Sequence, residues 1–381
     1  MKTKIKFLFV FFLLYSFMIS IACKKQKAEW KGTIEEVNGV TVVKNPKEPI
    51  YSGDVFSLEE ELSIGEAEGR KEYMFNRIAI AIDDDENIYV LDSKEVEIRV
   101  FDKEGKYLRS FVKRGQGPGE MQRPLLPSFQ ITPQNEILVH DYRTLRIIFY
   151  SLQGNYLRQI SFATIRGVID SLKIDSKGNF IVCLLYTPVS EISKELKIFN
   201  SKLSPIISLK TFKGEPYQPD VIRPFRPDIS FVLSQDDNII WGATNKYEFY
   251  VIDSDTKVIK KIIKEYDPVE ITKQYKERSE ERYRSLGRDY KIHFPKHFPA
   301  FSDVFLDDEE RLFVQTYERV KDKEQYYYFD VFDPIGKYIA RVPIKVRGIR
   351  QYIWKKNKLY TVEDDEEGYP FVKRYKVIWK I

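Results

Sequence analysis

Three short stretches hold side chains suited to recognition or catalysis. "HFPKH" sets His293 and His297 four residues apart, the interval at which a helix turns two imidazoles toward zinc. Pro295 between them opposes a helix, and no adjacent cysteine or carboxylate motif completes a ligand set, so no metal is assigned. "RPFRP" holds Arg223 and Arg226 stiffly beside Pro224 and Pro227, with Phe225 between them. Two guanidinium groups presented this way suit a carboxylate, sulfate or phosphate. They could equally be spent on Asp220 and Asp228 in the same loop. "VKRGQGPGEMQRP" (Val112 to Pro124) has the glycine content of a phosphate-cradling loop. It lacks the lysine followed by Ser or Thr of a P-loop, and prolines stand where a dinucleotide-binding helix would open. It is read as a joint between strands.

No catalytic residue can be nominated. The chain has three histidines and no Gly-x-Ser-x-Gly elbow. Cys183 sits in the apolar run "NFIVCLL", the setting of a buried, inert thiol. No cofactor is assigned.

The elements that must carry these stretches are strands. The 381 residues are 43% hydrophobic and 14% aromatic, with 25 Tyr and 26 Phe, a composition suited to pleated, half-buried surfaces. Residues 80–111 align without a gap on residues 129–160, placing Asp92 on Asp141, Gly105 on Gly154 and Tyr107 on Tyr156. Further copies open at Leu172, Phe231 and Val304 and near Tyr352. Each unit reads as four short strands, and units recurring every 40–50 residues or so predict a β-propeller. The sixth unit supplies only three strands before Ile381, and Glu60–Phe75 resembles an outer strand with its exit loop. The reading is therefore all-β: a six-bladed propeller of four-stranded antiparallel blades over residues 56–381, its last blade closed by an N-terminal strand. Asn38-Gly39 predicts a leading hairpin on the rim.

The first residues form a targeting segment. Lys2, Lys4 and Lys6 precede an uncharged run from Phe7 to Ile21, too short to span a bilayer comfortably. Its end, "ISIAC", resembles the lipobox of bacterial lipoproteins, with Ser20 where that family prefers leucine. The resemblance implies a signal peptide over residues 1–22, lipidation of Cys23, a tether with leading strands over residues 23–55, and an extracytoplasmic, membrane-anchored protein of the cell envelope. Loss of the three leading lysines lowers the formal charge from +5 to +2, so net charge gives no case for nucleic acid.

The pattern around "IYVLD", "IRVFD" and "GQGPGE" resembles NHL-type repeats, and the chain as a whole resembles six-bladed β-propeller lipoproteins of bacterial envelopes. Related lactonases and lyases hold a divalent ion in the central funnel with convergent acidic, Asn or His side chains. Asp92 and Asp141 are candidates for that mouth, but the matching positions hold Leu185, Ala243 and Thr316, so no ring of ligands forms and the aspartates are read rather as turn caps.

The insertions fall on one side by strand count: residues 186–195, 211–228, 266–302 and 317–325. Residues 266–302 form a lid between blades 4 and 5, with a solvated helix from Pro268 to Leu286 touching the ring through Ile271, Tyr275 and Tyr283. Long loops grouped on one face of a rigid scaffold are where binding concentrates. The expectation is a binding module, monomeric or within an envelope complex, for a peptide, glycan or envelope protein. The alternative is a hydrolase, lactonase or lyase with a divalent ion in its funnel.

Overall fold

The computed structural model describes residues 29–186, 191–216, 218, 220–285, 290–345 and 349–381. The expected targeting segment and Cys23 lie outside the described residues. The fold is a six-bladed β-propeller, each blade four antiparallel strands running outward from the axis. The inner strands are Ile78–Ile82, Pro124–Ile131, Val168–Ile174, Ile229–Leu233, Asp303–Leu306 and Ile349–Lys355, for blades 1 to 6.

Alternation along the inner strands packs the ring. In blade 1, Ile78, Ile80 and Ile82 pack with Tyr360 and Val362 of blade 6, while Ala79 and Ala81 join Phe129 and Val139 of blade 2. Each of the six blade junctions carries one such apolar cluster. The hydrophobic core is thus a circle of interfaces, and no blade can bury its faces alone.

The ring closes with the N-terminal strand. Phe56–Ile64 pairs antiparallel with Pro370–Trp379, from Phe56 opposite Trp379 to Ile64 opposite Val372. Phe56 and Ile64 are buried, and the Phe56 ring lies 5.0 Å from that of Trp379. The hairpin around Asn38-Gly39 also forms, but it extends a sheet rather than resting on the rim. Val40–Asn45 pairs parallel with Val258–Lys264 of blade 4, and Thr33–Val37 pairs outside it. The buried Asn45 amide fastens the hairpin to blade 5: its Oδ1 accepts from Tyr338 N–H at 2.7 Å, and its Nδ2 donates to the Gly336 carbonyl at 2.9 Å.

The glycine-rich stretch is a joint between blades 1 and 2. Glu120 folds back to accept from Gly117 N–H at 2.9 Å, and Gly115 N–H donates to the Met121 carbonyl at 2.9 Å. A Cβ on Gly115 would meet the Glu120 carboxylate and displace it from its bond to Gly117.

Candidate functional site: the insertion-bearing face

Two insertions fold onto each other at one face of the ring. Residues 217–228 join blades 3 and 4, and residues 265–302 join blades 4 and 5. Val221–Ile222 and Lys291–Ile292 form a short parallel sheet between them. His293 N–H donates to the Ile222 carbonyl at 2.9 Å, and Ile271 N–H donates to the Lys296 carbonyl at 3.0 Å. Thr272 caps helix α1 (Lys273–Arg284), its Oγ1 accepting from Tyr275 N–H at 3.2 Å. None of the helix residues is buried, in keeping with "KQYKERSEERYR". The expected helix end at Leu286 lies outside the described residues.

Aromatic rings dock this layer on the propeller. Phe225 lies 4.9 Å from Phe298, 5.6 Å from Tyr317 of blade 5 and 5.9 Å from Tyr275 of α1. Phe298 stacks on Tyr317 at 4.7 Å with their planes 12° apart. Of the three expected contacts, Ile271 is buried, Tyr275 joins this cluster, and Tyr283 lines a shallow surface cavity with Tyr290 and Ile292. Phe225 pays for its place with backbone strain: its φ of +62° is a left-handed conformation that bulky residues avoid.

That strained turn aims the two arginines. Arg223 donates to Gln218 Oε1 at 2.9 Å. Arg226 makes no hydrogen bond or ion pair with the described residues, and its Nε is buried. The expected pairing of these arginines with Asp228 does not occur, because Lys194 occupies that carboxylate at 2.6 and 2.8 Å and also reaches Asp170 at 2.9 Å. Burial opposes the Lys194 charge, and the bonds to Asp228 and Asp170 outweigh it, holding the pKa above its usual value. Sequence reasoning did not find Lys194. Its partners sit on two different blades, and only the fold brings them together.

The remaining candidates separate. His293 is exposed beside the short parallel sheet, whereas His297 is half-buried and bridges backbone-to-backbone with Glu270. Among the described residues no group of three or more His, Cys, Asp or Glu side chains is arranged to hold a metal. Asp92 and Asp141 are wholly buried and belong to the scaffold. Asp92 accepts from Asn76 N–H at 2.9 Å and Lys94 N–H at 3.0 Å. Asp141 accepts from Gln122 and Arg123 N–H at 2.9 and 2.8 Å and from the Thr144 hydroxyl at 2.7 Å. Each ties the chain entering its blade to a turn between the second and third strands, so neither faces the mouth of the ring. Cys183 is also buried, and burial pushes its thiol up to about 12, which suppresses thiolate chemistry.

Residues 68–206 match a family described as "6-bladed beta-propeller" (DUF5128), less than half of the chain. A protein of Bacteroides fragilis NCTC 9343 described as exported is similar in structure, with 12% identity, TM-score 0.54, and coverage of 90% of this chain and 100% of that one. A duf4221 family member of Bacteroides vulgatus shares 12% identity with TM-score 0.48, covering 86% of this chain and 99% of that chain. Virginiamycin B lyase of Staphylococcus aureus shares 8% identity with TM-score 0.43, covering 84% and 99% respectively. No curated protein matches the chain. The likeness to the Bacteroides fragilis protein speaks to the fold alone; the side chains described above must speak for the site.

Proposed function

We propose that this protein is a lipid-anchored, extracytoplasmic binding module that grips an anionic group of a peptide, glycan or envelope protein on its insertion-bearing face. The observation that carries the reading is Arg226, a permanently charged side chain with a buried Nε and no partner among the described residues. An unpaired, partly desolvated guanidinium is costly, and an incoming carboxylate, sulfate or phosphate would remove that cost. Pro224, Pro227 and the ring cluster around Phe225 hold the loop in place beforehand, so little ordering is needed on binding. The anchor itself is read from "ISIAC" and the charge layout of the first residues.

The test is an array of acidic glycans and acidic peptides probed with the mature protein and its Arg226→Ala variant. Wild type should bind at least one class, and the variant should bind it about tenfold or more weakly, the loss expected for one desolvated charge contact. Equal binding by the two proteins sinks the reading. Mass spectrometry of the membrane-extracted protein should find a diacylglyceryl-modified Cys23 at the mature N-terminus.

A further inference from the structure

Blades 1 and 2 carry no insertion, and on the insertion-bearing face they present exposed cations instead. Arg77 and Arg123 occupy the same place in their repeats, each at the entry to an inner strand. Their carbonyls accept from Ser93 N–H at 2.8 Å and Tyr142 N–H at 3.0 Å, which sets each arginine beside the turn between the second and third strands. Those turns carry Lys94 and Arg143, again at matching positions. Arg114 of the glycine-rich joint spans the interval between the blades. It donates to the Lys94 carbonyl at 2.7 Å and to the carbonyl of Gln122, the neighbour of Arg123, at 3.3 Å. Arg77, Lys94, Arg114, Arg123 and Arg143 therefore form one strip across two blades, and all five are exposed.

The scaffold leaves most of this charge uncompensated. The two turns and the joint contain four carboxylates: Asp92, Glu95, Glu120 and Asp141. Asp92 and Asp141 are buried on backbone N–H groups and Glu120 folds back onto Gly117 N–H, so Glu95 is the one exposed acid of these segments. The side chains of Arg77, Arg123 and Arg143 make no hydrogen bond or ion pair with the described residues. Arg123 lies beside the exposed Tyr142 ring, 5.7 Å from its centre. In blade 4 the place of Arg77 and Arg123 is taken by Asp228, whose carbonyl accepts from Thr244 N–H at 2.9 Å and whose carboxylate holds Lys194. The cations are thus a property of blades 1 and 2 and not of the repeat. A lone exposed arginine needs no explanation, but five cations beside one free acid sum to a positive field.

The form of the strip selects its occupant. Cations strung along two repeats, rather than converging on one point, suit a chain of anions. Guanidinium forks fit carboxylates and sulfates, and the Tyr142 ring offers an apolar surface to the face of a sugar. Turns and joints give a peptide no free strand edge and give a nucleic-acid duplex no helix or ribbon for its groove. One ring is too few for a single-stranded nucleic acid, which is held by stacking successive bases. We propose that the strip binds an acidic polysaccharide, with carboxylates or sulfates of successive sugars on Arg77, Lys94, Arg114, Arg123 and Arg143. It shares no side chain with the Arg226 site and does not rest on that reading.

The test measures binding of the mature protein to polygalacturonate and heparin, with dextran, polyglutamate and DNA as contrasts. Polygalacturonate or heparin should bind saturably, more tightly than any contrast, and the affinity should fall as salt rises. The triple variant Arg77→Ala, Arg123→Ala, Arg143→Ala should lose about tenfold or more of that affinity. Because these three side chains bond to nothing in the scaffold, the triple variant should melt with the wild type, so its loss reports binding and not folding. Arg226→Ala should bind the polysaccharide within about twofold of wild type, since Arg226 belongs to the layer over blades 3 to 5. Loss of binding in Arg226→Ala with none in the triple variant would assign the polymer to the other site and overturn the proposal. Tighter binding of any contrast than of either acidic polysaccharide, or saturation by neither, would overturn it as well.

Discussion

The two faces of the ring are built by different rules. On the face opposite the insertions, the five turns between the third and fourth strands of blades 1 to 5 share one design, in which the residue at the fourth turn position donates its N–H to the carbonyl of the first. The pairs are Gly105 to Asp102, Gly154 to Ser151, Leu203 to Asn200, Thr256 to Asp253 and Gly336 to Asp333. Five of the six turns between the first and second strands repeat the same bond, from Glu86 to Asp83 through Glu310 to Asp307. The insertion-bearing face has no such common unit. Its loops differ from blade to blade, carry the helix, and tie two insertions into one layer. One face is thus fixed by local chemistry repeated around the ring and the other by long-range contacts that occur once. Stability should reside in the first and recognition in the second.

The largest break in that contrast should come from Asp83→Ala. This buried carboxylate accepts from Asp85 N–H at 2.9 Å, Asn87 N–H and Asn87 Nδ2 at 2.8 Å each, and the Tyr89 hydroxyl at 3.1 Å. Several donors would lose their acceptor at once, at a cost of about 3 kcal/mol. Urea unfolding should show a lower midpoint while binding at the opposite face, measured on folded protein, is kept. A midpoint within error of wild type would show that these turns are not where stability resides.

Acid should weaken the scaffold through a different group. His140 is buried in blade 2, and burial lowers its pKa to about 4 despite the neighbouring Asp141. Between about pH 6.5 and pH 4 the unfolded chain takes up this proton and the folded chain does not, so acid favours unfolding. The neutral histidine's full contribution is present above about pH 6.5 and drains away as pH falls through about 4, with a ceiling of about 3 kcal/mol. Melting temperatures at pH 7 and pH 4.5 should therefore differ less in His140→Leu than in wild type. Parallel pH profiles would remove His140 from the account.

The same division decides what could be read from the sequence. The repeat, the closing strand and the turn glycines were legible because each is local or recurs: Ile78, Ile80 and Ile82 alternate with alanines, and Gly105 recurs as Gly154. The role of "GQGPGE" as a joint was legible for the same reason. The contacts of the inserted layer were not. Nothing near Phe225 in the chain announces Tyr317, and nothing near Lys194 announces Asp228 on the next blade. Asp92 and Asp141 were ambiguous until their backbone donors could be seen, since an aspartate that caps a turn and one that faces a funnel look alike in sequence.

The smallest effect concerns the one rule that the repeated face itself breaks. Three of its five turn positions between the third and fourth strands are glycine, at φ between +82° and +104°, while Leu203 and Thr256 adopt φ of +62° and +64°. Threonine is a poor occupant, because its branched Cβ crowds the backbone in the left-handed region. Leu203 offsets its strain by packing against the blade 2–3 cluster, so replacing it would also remove a contact. Thr256 belongs to none of the apolar clusters, which makes it the cleaner test. Thr256→Gly should raise stability by about 1 kcal/mol, the strain relieved less the extra entropy of an unfolded glycine. The readout is a higher urea midpoint with an unchanged slope. A loss of stability instead would mean that threonine makes a contribution at this turn beyond its backbone conformation, and that the repeated face is less uniform than its hydrogen bonds imply.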